Sequence, residues 1–307
     1  MARCNVCYRR CEIEEGKTGF CGVRTVVRIT GTVSQTDMNG SDSVGIDAEV
    51  KVVPANYGRI TSIALDPIEK KPLSRFMPGS RILSVGSFGC NLRCPFCQNY
   101  EISWSKEAYE YGEQARIITP EELADLALQY KSEGNVGVAF TYNEPLVGYE
   151  YVRDTARLVH ENGMVNVLVS NGMASLEVLS ELAPFIDAMN IDLKGFTDRY
   201  YRDVLGGDRK MVMEFIKEAV KHCHVELTTL IIPGENDSTA EMTELSKWIS
   251  ELTDADGNRI GQDVPLHISR FFPRFHMTDR DATDVALVYE LADVARKNLR
   301  FVYTGNC

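Results

Sequence analysis

The 307-residue sequence contains no apolar run approaching the ~18 residues of a membrane-spanning helix. Its first residues, Met1-Ala2-Arg3-Cys4-Asn5-Val6-Cys7, are polar and lack a signal-peptide core. Positive charge is in deficit: 33 Lys and Arg stand against 44 Asp and Glu, a net charge of −11. That balance argues against nucleic-acid backbones and anionic membranes as partners, since both need a cationic face. No internal repeat or low-complexity tract is present, which excludes solenoid and array architectures. With 44% apolar and 25% charged residues the chain is of globular type, and a cytoplasmic location is expected. Cysteine, by contrast, is abundant: nine in all, seven of them in two tight clusters. In a reducing compartment such clusters read as metal ligands or redox groups rather than disulfides.

The organisation suggests a Cys-rich cap over residues 1–57 with short strands, then a larger unit over 58–307 in which strands and helices alternate. Strands are expected at Ile82–Gly86, Val136–Phe140, Val165–Val169, Ala188–Ile191, Val225–Ile232 and Leu266–Ser269, with a possible seventh at Phe301–Tyr303. Helices are expected at 120–133, 147–162, 176–183, 211–221, 240–252 and most of 282–298. The first of these is well signposted: Thr119 as N-cap, Pro120 at the first turn, Glu122 three residues after the cap, and Gly134 as the stop. Repeated βα units imply an α/β fold with a parallel sheet, closed, partly closed or doubly wound. The first two βα turns lack G-x-G-x-x-G, which weakens the dinucleotide-binding alternative.

Directly after the first core strand comes Gly89-Cys90-Asn91-Leu92-Arg93-Cys94-Pro95-Phe96-Cys97, with thiols spaced C-x3-C-x2-C. Three thiolates on one loop can hold three irons of a cubane cluster. No further cysteine occurs until Cys223, so one iron would stay open to an outside chelator. Buried packing residues, or three ligands of a zinc completed by a distant histidine, are the competing readings. A position at the C-terminal end of a core strand, where βα barrels build their active sites, favours the cluster.

C-x3-C-x-aromatic-C on the first βα loop resembles the radical S-adenosylmethionine (radical SAM) superfamily. The fold this implies is a partial (β/α)6 TIM-like barrel carrying a small N-terminal Cys-rich metal-binding extension. The segments Asp66-Pro67-Ile68-Glu69-Lys70-Lys71-Pro72-Leu73, Cys97-Gln98-Asn99-Tyr100-Glu101-Ile102-Ser103 and Tyr142-Asn143-Glu144-Pro145 are similar to the radical SAM enzyme of the AmmeMemoRadiSam system, itself akin to pyruvate formate-lyase activating enzyme. The resemblance implies a [4Fe-4S] cluster on Cys90, Cys94 and Cys97 whose open iron takes the amine and carboxylate of S-adenosylmethionine. Reductive cleavage of that cofactor would then release a 5′-deoxyadenosyl radical.

The resemblance implies further residues. Phe96 is the aromatic of the cluster loop. Asn143 and Glu144 stand where the family has Gly-Gly-Glu, with Tyr142 and Asn143 in place of the glycines, and Glu144 suits the cofactor's ammonium. Ser170 and Asn171 come after the third strand and suit ribose or carboxylate, although an ordinary Asn-Gly turn explains them as well. Asp192 and Lys194 resemble the Asp-Leu-Lys of glycyl-radical activating enzymes, with a structural ion pair as the competing reading. His267 resembles a histidine near the cofactor at a strand's active end, and a core histidine is the alternative.

Cys4, Cys7, Cys11 and Cys21 supply four thiols within 18 residues, enough for a tetrahedral zinc or for a second iron–sulfur cluster. Gly16 and Gly19 give a knuckle-like turn before Cys21, which tilts the balance to zinc. Six basic residues, Arg9 among them, against three acidic ones make this tip locally cationic, suited to an acidic electron donor such as a flavodoxin or ferredoxin. Three functions are thereby in view: a radical enzyme acting on a protein or peptide, the same machinery acting on another macromolecule or a small molecule, and a non-catalytic iron–sulfur carrier or zinc-dependent binding module. A carrier needs a closed four-ligand cluster, which the central loop does not supply. Cys223 and Cys307 take no role in any of these readings.

Overall fold

A computed structural model describes residues 1–36 and 42–307 of the chain. The N-terminal tip is held by two two-residue strands, β1 (Ala2–Arg3) and β2 (Glu12–Ile13), paired antiparallel. In place of the expected short strands and turns over 29–56, β3 (Arg24–Thr36) and β4 (Asp42–Pro54) form one long antiparallel ribbon. Its β-branched residues at 25–30 and 50–53 favour extended backbone over turns. Residues 37–41 of that expectation lie outside the described residues.

An eight-stranded sheet forms the body. β5 (Ser62–Pro67) is antiparallel to β6 (Arg81–Gly86) and was not legible as a strand in the sequence. After β6 come α1 (Tyr100–Ser103), α2 (Lys106–Gln114) and α3 (Pro120–Gln129), then β7 (Asn135–Phe140) and α4 (Tyr149–Glu161). Next come β8 (Val165–Ser170), α5 (Leu176–Leu182), β9 (Ala188–Asp192), α6 (Arg209–Ala219) and β10 (His224–Ile231). The chain ends with α7 (Thr239–Ser250), β11 (Leu266–Arg270), α8 (Val285–Ala295) and β12 (Val302–Gly305). From β6 to β12 every neighbouring pair is parallel, so six βα crossovers lead to a seventh strand. β5 and β12 are the two edges, and the barrel stays partly open. The expected helix over 282–298 is shorter, because Thr283 is spent on the turn: it accepts from Phe271 N and donates to Ile231 O.

The helix signals act as read. Thr119 Oγ1 accepts from Glu122 N while Glu122 Oε2 accepts from Thr119 N, a reciprocal cap worth about 1 kcal/mol. Gly134 ends the following turn at φ 87°, a conformation that glycine adopts without steric cost. Outside the sheet, Leu179, Phe215, Ile216, Leu245 and Leu291 pack the helices onto the outward faces of the strands.

Inside, the segment after β5 crosses the lumen. Ile68 and Leu73 pack against Ile82, Ala139, Val167 and Ala188 from four successive strands. Pro72 O accepts from Asn190 Nδ2, and the amides of Ser74 and Arg75 donate to the two carboxylate oxygens of Glu226 at 2.9 and 2.7 Å. Glu226 is 0% exposed and also takes His224 Nε2 at 2.9 Å and His267 Nε2 at 2.6 Å. Burial opposes its charge, but the two imidazoles and two amides prevail and hold the carboxyl down at about 2.

Candidate functional site

The loop from Ser87 to Asn99 leaves the C-terminal end of β6, and close contacts from both sides shape it. Gly89 has φ 96°, and a Cβ there would stand 2.6 Å from Val23 Cγ1 and 3.1 Å from Cys21 O. Only glycine tolerates both the backbone angle and the approach. Asn143 holds the first part of the loop: its Oδ1 accepts from Ser87 N, and its Nδ2 donates to Phe88 O and Gly89 O. Tyr142, just before it, adopts φ 74° without being glycine. Its ring packs on Gly86, its hydroxyl donates to Asp66 Oδ2 at 2.8 Å, and the Lys71 ammonium lies 4.7 Å from its centroid. Lys71 also donates to Asp66 Oδ2 at 2.9 Å. Burial raises the Asp66 carboxyl, yet the Lys71 and Tyr142 bonds outweigh it and keep it well below the usual carboxylate range. Tyr142 thus holds a left-handed backbone at a cost of ~1–3 kcal/mol that these contacts offset.

Cys90, Cys94 and Cys97 are gathered on this loop. Burial pushes the Cys90 thiol well up, Cys94 up to about 12 and Cys97 up, and each of these shifts is strengthened or offset by neighbours that include the other thiols, Glu144 and Lys194. Leu92 N donates to Cys90 Sγ at 3.4 Å and Asn171 Nδ2 approaches it at 3.8 Å. Trp104 Nε1 is buried with no acceptor in hydrogen-bond geometry, yet the indole lies close enough to Cys97, with Ser103, to favour its thiolate. Among the described residues no three Cys, His, Asp or Glu side chains are closed around a metal as they stand. The donor set nonetheless suits iron: one buried and two partly buried thiols, an amide-to-sulfur bond at Cys90, and a buried N–H that a thiolate would satisfy.

Glu144 is 2% exposed and lies beside Cys90. Its Oε1 accepts from Ser170 Oγ at 2.8 Å and Leu146 N at 3.0 Å, and its Oε2 accepts from Asn171 N at 2.8 Å. Burial pushes its carboxyl up to about 7 despite those three donors. Among the described residues no Lys, Arg or His pairs with it, so a ligand ammonium would supply the missing counter-charge. Ser170 and Asn171 therefore orient Glu144. Asn171 also reaches the cluster loop through Asn91 Oδ1 at 2.9 Å, and Asn91 Nδ2 donates to Met173 O.

Lys194 Nζ donates to Asp192 Oδ2 at 2.8 Å at the end of β9. Burial works against the ammonium, but Asp192 and Cys94 raise its pKa overall. Phe96 packs edge-on to Phe271, with centroids 6.5 Å apart. His267 is the second residue of β11, not at that strand's active end, and its Nε2 is committed to Glu226 while its ring stacks on Tyr303 at 5.2 Å. Sequence reading missed Asn91, Arg93, Trp104 and Glu226. Asn91 and Arg93 lie inside the cysteine motif, but nothing in their spacing marks them.

Cys4, Cys7, Cys11 and Cys21 line one cavity with Val6, Arg9, Ile13, Gly19, Arg24 and Val147. Burial pushes Cys7 up to about 11 and Cys21 up as well, with the neighbouring thiols adding to both shifts. Arg9, expected to belong to a cationic docking face, is otherwise engaged: its guanidinium donates to Asn91 O and Gly206 O and lies 3.3 Å from the Phe20 ring centroid.

Comparison with known proteins agrees with this geometry. Residues 84–245 match the family model described as the radical SAM superfamily. An uncharacterised protein of Methanocaldococcus jannaschii is 36% identical over 307 residues, covering 99% of this chain and 81% of its own. The pyruvate formate-lyase 1-activating enzyme of Escherichia coli is 25% identical over 181 residues, 57% of this chain and 70% of that enzyme. Streptococcus suis SuiB bound to S-adenosylmethionine superposes with a TM-score of 0.55 at 13% identity, covering 74% of this chain and 52% of SuiB. This last likeness concerns the fold alone, and the chain spans about half the length of SuiB. No helix among the described residues is long and apolar enough to cross a membrane. Carrying the cysteine loop at the C-terminal end of the first parallel strand, with a family match that takes in that loop, the chain belongs to the radical SAM superfamily.

Proposed function

We propose that this chain is a radical SAM oxidoreductase that abstracts hydrogen from a protein or peptide, in the manner of glycyl-radical activating enzymes. The observation that carries the chemistry is the convergence of three thiols, one buried and two partly buried, with a buried, cation-free carboxylate at one end of a partial barrel. Cys90, Cys94 and Cys97 would hold a [4Fe-4S] cluster, and Glu144 would receive the methionyl ammonium of S-adenosylmethionine. The chemistry such a cluster supplies when bound is one-electron reductive cleavage of the sulfonium to a 5′-deoxyadenosyl radical. Ser170 and Asn171 orient Glu144 through the bonds described, and Asn143 fixes the entry of the cluster loop. Asp192 and Lys194 put a compensated charge pair beside Cys94, and the Lys194 ammonium would receive the methionyl carboxylate. Phe96 and Phe271, both buried, pack edge to face beside the loop.

A protein or peptide substrate is favoured by the E. coli relative, whose name is that of an enzyme-activating enzyme. An acidic one-electron donor of flavodoxin or ferredoxin type would reduce the cluster, and the four N-terminal thiols would hold a separate metal. Anaerobically reconstituted protein given S-adenosylmethionine and dithionite is expected to release 5′-deoxyadenosine and methionine, and Cys94→Ser to release neither. Unchanged cleavage in that variant refutes the assignment of the central loop.

A further inference from the structure

The N-terminal thiols touch the central cysteine loop through a short, continuous seam, whose role rests on those four thiols being a metal site. The four thiols line one common cavity. Four thiolates converging on one cavity match the tetrahedral shell of a single ion. Backbone amides face two of these thiols: Arg9 N toward Cys7, and Val23 and Arg24 N toward Cys21. Around this cavity the tip is tied by the β1–β2 ladder, the Thr18–Thr25 bridge and backbone bonds such as Cys4 N to Cys11 O.

Each seam contact lies one or two residues from a thiol. Phe20 precedes Cys21, Arg9 lies two residues after Cys7, and Arg93 precedes Cys94. Arg93 Nη1 donates to Cys90 O at 2.7 Å and Leu92 O at 2.8 Å, gripping the loop from within. Its Nη2 donates to Phe20 O and approaches the Tyr109 hydroxyl, which in turn donates to Cys21 O at 3.2 Å. The Phe20 ring receives both guanidiniums, Arg9 at 3.3 Å and Arg93 at 4.1 Å from its centroid. Val23 and Cys21 O then press on Gly89 next to Cys90.

We propose that Cys4, Cys7, Cys11 and Cys21 hold one zinc ion, and that the resulting knuckle clamps the loop of Cys90, Cys94 and Cys97 through Phe20 and Arg93. Arg93 is thereby a positioning residue for the cluster. Zinc suits the site because four thiolates complete its tetrahedral shell and it brings no redox change. The clamp works through geometry: ligation fixes Cys21, Cys21 fixes the Phe20 ring and carbonyl, and these orient the guanidinium that holds Cys90 O.

The test uses the full chain, purified anaerobically and reconstituted with iron. Elemental analysis should find about one zinc per chain, in an all-sulfur shell by X-ray absorption, and a variant with Cys90, Cys94 and Cys97 all changed to Ala should keep it. Phe20→Ala and Arg93→Lys should keep the zinc, yet lose iron to a chromogenic chelator on the order of 10-fold faster than wild type, the scale of outer-contact effects on metal sites. Lysine keeps the charge but not the planar fork, so it should not rescue. The two substitutions lie on opposite sides of the seam, so either one tests it if the other fails to fold. Zinc present with wild-type iron release in both variants overturns the clamp and leaves the metal site standing. Iron in place of zinc at the N-terminal thiols overturns the single-ion assignment, and no metal there overturns the reading beneath both.

Discussion

Replacing Glu226 by glutamine tests the internal architecture most sharply. The carboxylate is buried, and it accepts from two backbone amides of the lumen segment and from two imidazoles on β10 and β11. Glutamine keeps the shape, but its NH2 faces donors where an oxygen stood. Removing one partner of a buried charged network costs about 3–5 kcal/mol, so Glu226→Gln should destabilise by that order in urea unfolding near pH 7. The pH dependence carries the sign. In the folded chain the carboxyl is held down at about 2 against an ordinary value of 4.5. Its contribution is therefore complete above pH ~5 and is lost as pH falls toward 2. A shift of that size corresponds to about 3 kcal/mol, of which roughly 2 are gone by pH 3. The stability difference between wild type and Glu226→Gln should narrow by about 2 kcal/mol between pH 6 and pH 3. Hydrogen exchange at the Ser74 and Arg75 amides should accelerate in the variant more than at β7 or β8. A stability gap below about 1 kcal/mol, or one that does not change with pH, would contradict the role given to this carboxylate.

Two other substitutions probe the loop after β7. Tyr142→Phe keeps the left-handed backbone and the ring under Lys71 but removes the bond to Asp66. It should cost about 1–2 kcal/mol in thermal or urea unfolding, with iron content unchanged. Asn143→Ala strands Ser87 N and two carbonyls at the start of the cluster loop. It should lower the melting temperature by several degrees and reduce the iron retained after reconstitution.

Legibility tracked the range of the interactions. The strand–helix alternation, the Thr119 capping box and the Gly134 stop depend on residues a few positions apart, and the sequence shows them directly. The cysteine loop was legible for the same reason, since its spacing is its chemistry. β5 was not: Asp66 and Pro67 at its end weaken the strand pattern, and it forms because β6 offers a partner. Arg93 looks like any loop arginine until the chain brings Phe20 to it, and Glu226 looks like a solvent carboxylate on an alternating strand until Ser74 and Arg75 arrive from about 150 residues away. His267 was placed by resemblance near a strand's active end, whereas its register beside Thr228 puts it lower in the barrel, within reach of Glu226.

The lumen segment also has a mechanical meaning. A ring of strands that fails to close can splay like a hinge, because nothing couples its two margins. Here a covalent span leaves the β5 margin, crosses the interior, is fastened to β9 at Pro72 and to β10 at Ser74 and Arg75, and returns to β6. It behaves as a tie rod across an open arch. Load applied at one margin is passed to the opposite wall instead of opening the gap, and the strand ends that carry the cysteine loop, Glu144 and the Asp192–Lys194 pair keep their spacing without an eighth parallel strand.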